Sequence, residues 1–234
     1  MVGQITRTRQ HRLVPARKHH WLRWAVAGVA AVVVLALAGT YAFVHFLGGP
    51  APAPLVLPRL TAAGTGSASA DGAWTAGNGS QAGYRVREDF LGPGNSVVGR
   101  TSAVTGRVVI AHGGVTSASF RIDLTTITAD GKAQPQLAKI LDTASFPAAT
   151  FTLTKPIVLG VGPVMNKTFT VRAVGLLAMN GATRAVTFDA TARYSGSLLE
   201  AAGSIAVVFP AWNIHVPEFL QSRGLLEFLL VLRR

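Results

Sequence analysis

Beyond residue 47 the chain carries two histidines, His112 and His215, and no His-x-His or His-x-x-x-His spacing. A metal held by paired imidazoles needs both rings on one face of an element, so neither histidine reads as a ligand. The ten acidic residues are scattered, with Glu88-Asp89 the one adjacent pair, and no carboxylate dyad for acid–base work is visible. Gly79-Ser80 and Gly196-Ser197 lack the glycine spacing of a nucleophile elbow. Gly92 and Gly94, like Gly160 and Gly162, are isolated pairs, too sparse for a phosphate-cradling loop. Cysteine is absent, which removes thiolate nucleophiles, thiolate metal sites, a lipid-attachment thiol and disulfides. Asn78-Gly79-Ser80 and Asn166-Lys167-Thr168 match the glycosylation sequon and read as turn chemistry. No metal, cofactor or enzymatic activity is expected. A triad assembled from distant strands is the one catalytic arrangement that spacing does not display.

What remains is apolar surface and the strands that present it. Phe120, Ile122 and Leu124 alternate with Arg121, Asp123 and Thr125. Phe169, Val171, Ala173, Gly175, Leu177 and Met179 repeat the pattern, as do Val186, Phe188, Ala190, Ala192 and Tyr194. This period of two marks half-buried strands, and Asn180-Gly181 between two of them is a hairpin signal. Gly113-Gly114 suggests a second hairpin, and Leu225–Leu232 a closing strand. The pattern implies about eight antiparallel strands in meander order, with a short helix near Gln136–Leu141 and no crossover helices. The expected fold is an all-β, eight-stranded antiparallel barrel.

Such a barrel is just wide enough to be filled by side chains or to hold one ligand. Inward parity and size select Phe120, Ile122, Leu124, Phe151, Leu153, Phe169, Val171, Leu177, Phe188 and Phe228 as candidate lining. Small residues on the same face leave room for a ligand or admit larger neighbours, so cavity and filled core both stay open.

The remainder of the chain concerns location. From Trp24 to Leu47 there is no Asp, Glu, Lys or Arg, and about 24 residues at 1.5 Å each cover a hydrocarbon core of about 30 Å. The tail 1–23 holds Arg7, Arg9, Arg12, Arg17, Lys18 and Arg23 and no acid. The positive-inside bias therefore keeps the tail in the cytoplasm and places the rest outside, with 24–47 as a single-pass anchor. Ala36-Leu37-Ala38 also has the form a signal peptidase accepts, so cleavage near Ala38 is the alternative. The chain carries 22 basic and 10 acidic residues, a net +12. Much of the excess is this topology signal and the rest is dispersed, so nucleic acid is not an expected partner. Residues 48–70 are rich in Pro, Gly, Ala and Ser and read as a stalk, with Leu55-Val56-Leu57 an apolar island that could rest on the domain or the membrane. The domain proper is 71–234.

An ordered series of short motifs then resembles the YceI-like family, lipocalin-like barrels described as polyisoprenoid-binding, in its actinobacterial membrane-anchored form. The series runs from Trp74 and Ser80–Glu88 through Val98-Gly99-Arg100-Thr101, Val104-Thr105-Gly106 and Phe120–Leu124. It continues with Leu141-Asp142-Thr143, Phe146–Phe151, Gly175-Leu176-Leu177, Gly181–Val186, Gly203-Ser204 and Gly224–Phe228. Phe146-Pro147 would end the short helix. Gly175 and Gly203 would let barrel strands bend. One departure stands out: Ala133-Gln134-Pro135-Gln136 occupies the place of the family's Arg-Asp pair before Leu137, at the loop over the barrel mouth.

The resemblance implies a long apolar lipid, polyisoprenoid-like, as ligand, bound without chemistry. It also implies that a homodimer is open, since barrels of this family can pair. The alternative is an interaction or stress-response module whose core is filled and whose work lies in its loops, with Trp212 as an exposed aromatic.

Overall fold

A sheet with one apolar face and no covering helices must close on itself or pack on another sheet. In the computed structural model it closes. The structure describes residues 34, 51–59, 69–88, 96–129, 131–159, 164–218 and 220–234. The chain divides into two units, Met1–Pro50 and Ala51–Arg234, and the second carries the barrel. The stretch expected to span a membrane lies outside the described residues except for Val34, which is helical. Among the described residues no helix is long and apolar enough to cross a membrane.

The strands are β1 (Gly72–Ala76), β2 (Gln81–Glu88), β3 (Ser96–Thr101), β4 (Val104–Ala111), β5 (Gly114–Asp123), β6 (Thr128–Ala129) and β7 (Lys132–Ala133). After the short helix α1 (Pro135–Ile140) come β8 (Ala148–Leu153), β9 (Ile157–Val158), β10 (Thr168–Met179), β11 (Ala182–Tyr194), β12 (Leu198–Val208) and β13 (Leu220–Arg233). The ring has eight positions: β1 with β2, β3 with β4, then β5, β8, β10, β11, β12 and β13. Every pairing is antiparallel, and β13 closes the ring on β2 over Gln81–Glu88 and on β1 at Thr75 and Ala76. Closure leaves the long strands without free edges. The small β6–β7 hairpin and β9 decorate the ring at β3 and β5.

Local chemistry explains the breaks and turns. Between β1 and β2 the buried Ser80 hydroxyl accepts from Val231 N at 3.0 Å and donates to Val231 O at 3.2 Å. A side chain thus takes the place of a ladder partner, and the serine of the first sequon is used structurally. Asn180 and Gly181 take φ of 46° and 74°, the left-handed pair that a two-residue hairpin turn requires. The second expected hairpin turns on His112-Gly113, at 53° and 71°, one residue earlier than the expected Gly113-Gly114. Gly114 is already paired with Ala111 in the sheet, so only the preceding two residues are left to turn. The helix also opens one residue early, on Pro135, whose missing N–H costs nothing at a helix start.

Each end of the barrel is closed differently. At one end Trp74 and Tyr194 are fully buried, edge to face at 5.8 Å. Trp74 Nε1 donates to Ala70 O and the Tyr194 hydroxyl to Ser69 O, both at 2.9 Å. The Arg234 guanidinium lies 4.7 Å from the Trp74 ring centre. At the other end a 3-10 turn, Phe209–Trp212, folds inward. Asn180 Nδ2 holds it by donating to Trp212 O at 3.1 Å and Asn213 O at 2.9 Å. Trp212 is 5% exposed, so the expected loop aromatic is a core residue. Its neighbours Phe209 and Ile214 are also buried, which makes this loop a plug.

On the outer wall, Glu227 of β13 is buried and accepts from Arg85 Nε of β2 at 2.6 Å, with Arg100 Nη2 of β3 at 3.7 Å. The two guanidinium groups also donate to consecutive carbonyls of the stalk segment, Arg85 to Pro52 at 2.6 Å and Arg100 to Ala53. Leu55 and Leu57 are half-buried while Val56 is exposed. A proline-rich segment with few N–H groups offers mainly carbonyls, and arginine forks supply the matching donors.

Candidate functional site

Strand parity delivers an apolar interior. On β10 the residues Phe169, Val171, Ala173, Leu177 and Met179 face a cavity of about 430 Å³, while Arg172 faces out and pairs with Asp189. All ten residues selected from the sequence line this cavity: Phe120, Ile122 and Leu124 from β5 and the turn after it, Phe151 and Leu153 from β8, Phe169, Val171 and Leu177 from β10, Phe188 from β11 and Phe228 from β13. From Phe169 to Met179 is roughly 33 Å of strand, or roughly 25 Å along the axis at the usual barrel tilt. The volume lies within the range of about 300–1,000 Å³ common for small-molecule pockets.

Three phenylalanines cross the middle of the barrel as a chain of edge-to-face contacts. Phe151 and Phe188 stand 5.3 Å apart at 67°, Phe188 and Phe228 5.5 Å apart at 73°. Phe151, Phe228 and Phe120 each lie against a residue without a side chain. A Cβ on Gly175 would lie 2.4 Å from Phe151 Cε2, one on Gly203 2.8 Å from Phe228 Cζ, and one on Gly106 2.3 Å from Phe120 Cδ1. Gly175 and Gly203 adopt no positive φ. At both positions the missing side chain makes room for a ring.

The helix α1 shapes one end of the cavity. Leu137, Ile140 and Leu141 recur at helical spacing and line it. A helix of six residues has no stability of its own and depends on this apolar face. Gln134 and Gln136, within the segment that departs from the expected Arg-Asp pair, also stand on the cavity wall.

The polar residues singled out by sequence do not meet. His112 and His215 are both exposed, and among the described residues no group of three His, Asp or Glu could hold a metal. Asn180, Asn213, His215, Lys139 and Asp142 border a separate shallow groove outside α1. Inside the cavity the ionisable side chain left unpaired by protein is Tyr84, whose phenol burial holds above its usual pKa.

Sequence reasoning missed several wall residues, among them Tyr84, Val86, Ile205, Leu226, Leu230 and Leu232. The last three share the parity of Phe228 on β13, so extending the alternation along that strand finds them. Tyr84 and Val86 alternate with Arg85 and Arg87 in the same way.

The YceI-like domain model matches residues 75–226. Among solved structures, a polyisoprenoid binding domain from Saccharophagus degradans implicated in plant cell wall breakdown superposes with a TM-score of 0.53 at 12% identity, covering 69% of this chain and 97% of that one. BcnA of Burkholderia cenocepacia gives 0.53 at 18% identity, covering 65% of this chain and 95% of its own. At such identities the likeness concerns the fold. No curated protein sequence matches the chain.

Proposed function

The chain belongs to the YceI-like domain family, and on that premise we propose that its barrel binds and carries a long apolar lipid of the polyisoprenoid kind. The observation that carries this reading is the continuous apolar cavity of about 430 Å³, walled from Phe169 to Met179 and crossed by the Phe151–Phe188–Phe228 rings. The mechanism is burial. Each enclosed methylene contributes about 0.8 kcal/mol, so ten carbons supply roughly 8 kcal/mol before ordering costs. No bond is made or broken.

The carrier works at a membrane. The uncharged stretch 24–47 acts as a single-pass anchor, the basic tail 1–23 stays in the cytoplasm, and the barrel faces outward. This part of the reading rests on hydropathy and charge asymmetry alone. A reporter active only outside the cytoplasm, fused after Arg234, tests it: activity is expected, and silence there with activity of a cytoplasmic reporter would reverse the topology.

For the ligand, the full chain is expressed in a bacterial host, purified gently and weighed as an intact complex, then extracted with organic solvent. A stoichiometric, extractable adduct is expected. A bare mass together with no uptake of added polyprenol would sink the carrier reading in favour of a module that works through its loops.

A further inference from the structure

The cavity wall is apolar but not featureless, and its few polar groups share one property: none is a free charge. No Lys, Arg or His stands on it among the described residues. Its one acidic residue, Glu227, turns its carboxylate to the outer wall, where Arg85 engages it at 2.6 Å. Gln134 and Gln136 are neutral. The remaining polar side chain is Tyr84, on β2 opposite Gly99 and Leu226. Gly99 has no side chain to obstruct it; a Cβ there would lie 2.7 Å from Tyr84 Cζ and 2.9 Å from Ile127 Cγ2. The phenol therefore leans across β3 with its hydroxyl-bearing carbon beside Gly99 and Ile127. Its O–H makes no hydrogen bond to the described protein, whereas the Ser80 hydroxyl and the Trp212 indole N–H, buried elsewhere in the barrel, are both bonded.

A hydroxyl left without a protein partner in apolar surroundings is an unspent donor, and such donors favour ligands that supply the missing acceptor. We propose that Tyr84 donates a hydrogen bond to an uncharged oxygen at the end of the bound chain, an alcohol, carbonyl or ether, and that the cavity discriminates against an anionic end. Burial keeps the phenol protonated, as a donor must be. A phosphate end would find no cation on the wall to offset its desolvation. The inference rests on the carrier reading and specifies the chemistry of its ligand.

Three probes sharing one branched C20 skeleton test it: phytane, phytol and phytyl phosphate. Each is partitioned between vesicles of a single zwitterionic phospholipid with and without the reconstituted full chain, for the native protein and for Tyr84→Phe. Comparing each probe across the two proteins cancels differences in its membrane affinity. Phytol is expected to lose about fivefold in affinity in the variant, as for one hydrogen bond, while phytane and phytyl phosphate change by less than about twofold. Retained phytane binding shows that the variant keeps its cavity. An equal loss for all three probes makes Tyr84 merely a packing residue and overturns the assignment. A loss confined to phytyl phosphate overturns the preference for an uncharged end. If no probe binds the native protein, the carrier reading fails and the assignment with it, an outcome distinct from uptake of all three without an effect of the variant.

Discussion

Phe228 and Gly203 face each other across β13 and β12, and the ring occupies the space a side chain at Gly203 would need. The same exchange of bulk between neighbours recurs at Phe120 with Gly106 and at Phe151 with Gly175. The barrel interior thereby holds large rings without filling up. At Gly175 the close approach includes backbone, since an added Cβ would lie 2.4 Å from Thr152 O as well. Gly175→Ala is therefore expected to cost about 1–3 kcal/mol through overpacking, read as a lower urea midpoint with unchanged slope. An unchanged midpoint would mean that the rings are free to shift.

Leu177 lies on the cavity wall at 3% exposure. Leu177→Trp places an indole where the ligand chain would run. Uptake of an added polyprenol is expected to fall at least tenfold while the loss of stability stays within about 3 kcal/mol. Unfolding without any change in the ligand affinity of the folded fraction would point to a core with no usable space at this site.

The pH response at the acid end follows from two carboxylates. Asp123 is held below its ordinary value of 3.8 by the Thr125 hydroxyl and then by the Thr125 backbone N–H. Asp189 is lowered by hydrogen bonds from Arg172 at 2.9 and 3.2 Å. Both contributions are fully present above the unfolded value near 3.8 and are lost as pH falls through the lower folded values. The urea midpoint should be insensitive to these two groups from pH 7 to 5 and decline below about 4. Asp123→Asn and Asp189→Asn should each make that decline shallower, and added salt should weaken the Asp189 part. A decline as steep in the double variant would assign acid sensitivity to other groups.

The outer arginine pair predicts how the proline-rich segment behaves. Glu227 orients Arg85 and Arg100, which hold the carbonyls of Pro52 and Ala53. Glu227→Gln removes the charge that aligns both guanidinium groups and should loosen the segment. Trypsin then cuts after Arg59 several-fold faster, while urea unfolding shows the barrel still folded. Equal cleavage rates in the folded variant would mean the segment is held by its half-buried leucines.

The strands were legible because Phe169–Met179 and Val186–Tyr194 alternate over enough residues to exclude a helix. Asn180-Gly181 announced its turn because both residues tolerate positive φ. His112 did not, since a histidine in that conformation is uncommon and only the pairing of Gly114 with Ala111 forces it. Parity picks ten residues that stand on the cavity wall but misses Tyr84, whose hydroxyl disguises an inward position. The breaks between β1 and β2 and between β3 and β4 were illegible: Ser80 replaces a ladder bond with a partner 151 residues away. Trp212 looks like a surface residue in the sequence because its loop is proline-flanked; its burial depends on Asn180, 32 residues distant.

Ring closure on β13 has a kinetic corollary. Thr75 and Ala76 find their partners in Arg233 and Leu232, and Gln81 finds Leu229. The first strands therefore wait, half-paired, until nearly the whole domain has been synthesised. Hairpins such as β10–β11 can form early, but the seam is made across the full length of the domain, and folding should be slow for its size. During that interval the edges of β2 and β13 are open templates for another chain. A holdase that shields exposed strands until the seam closes would matter more to this protein than to a helical one of equal length.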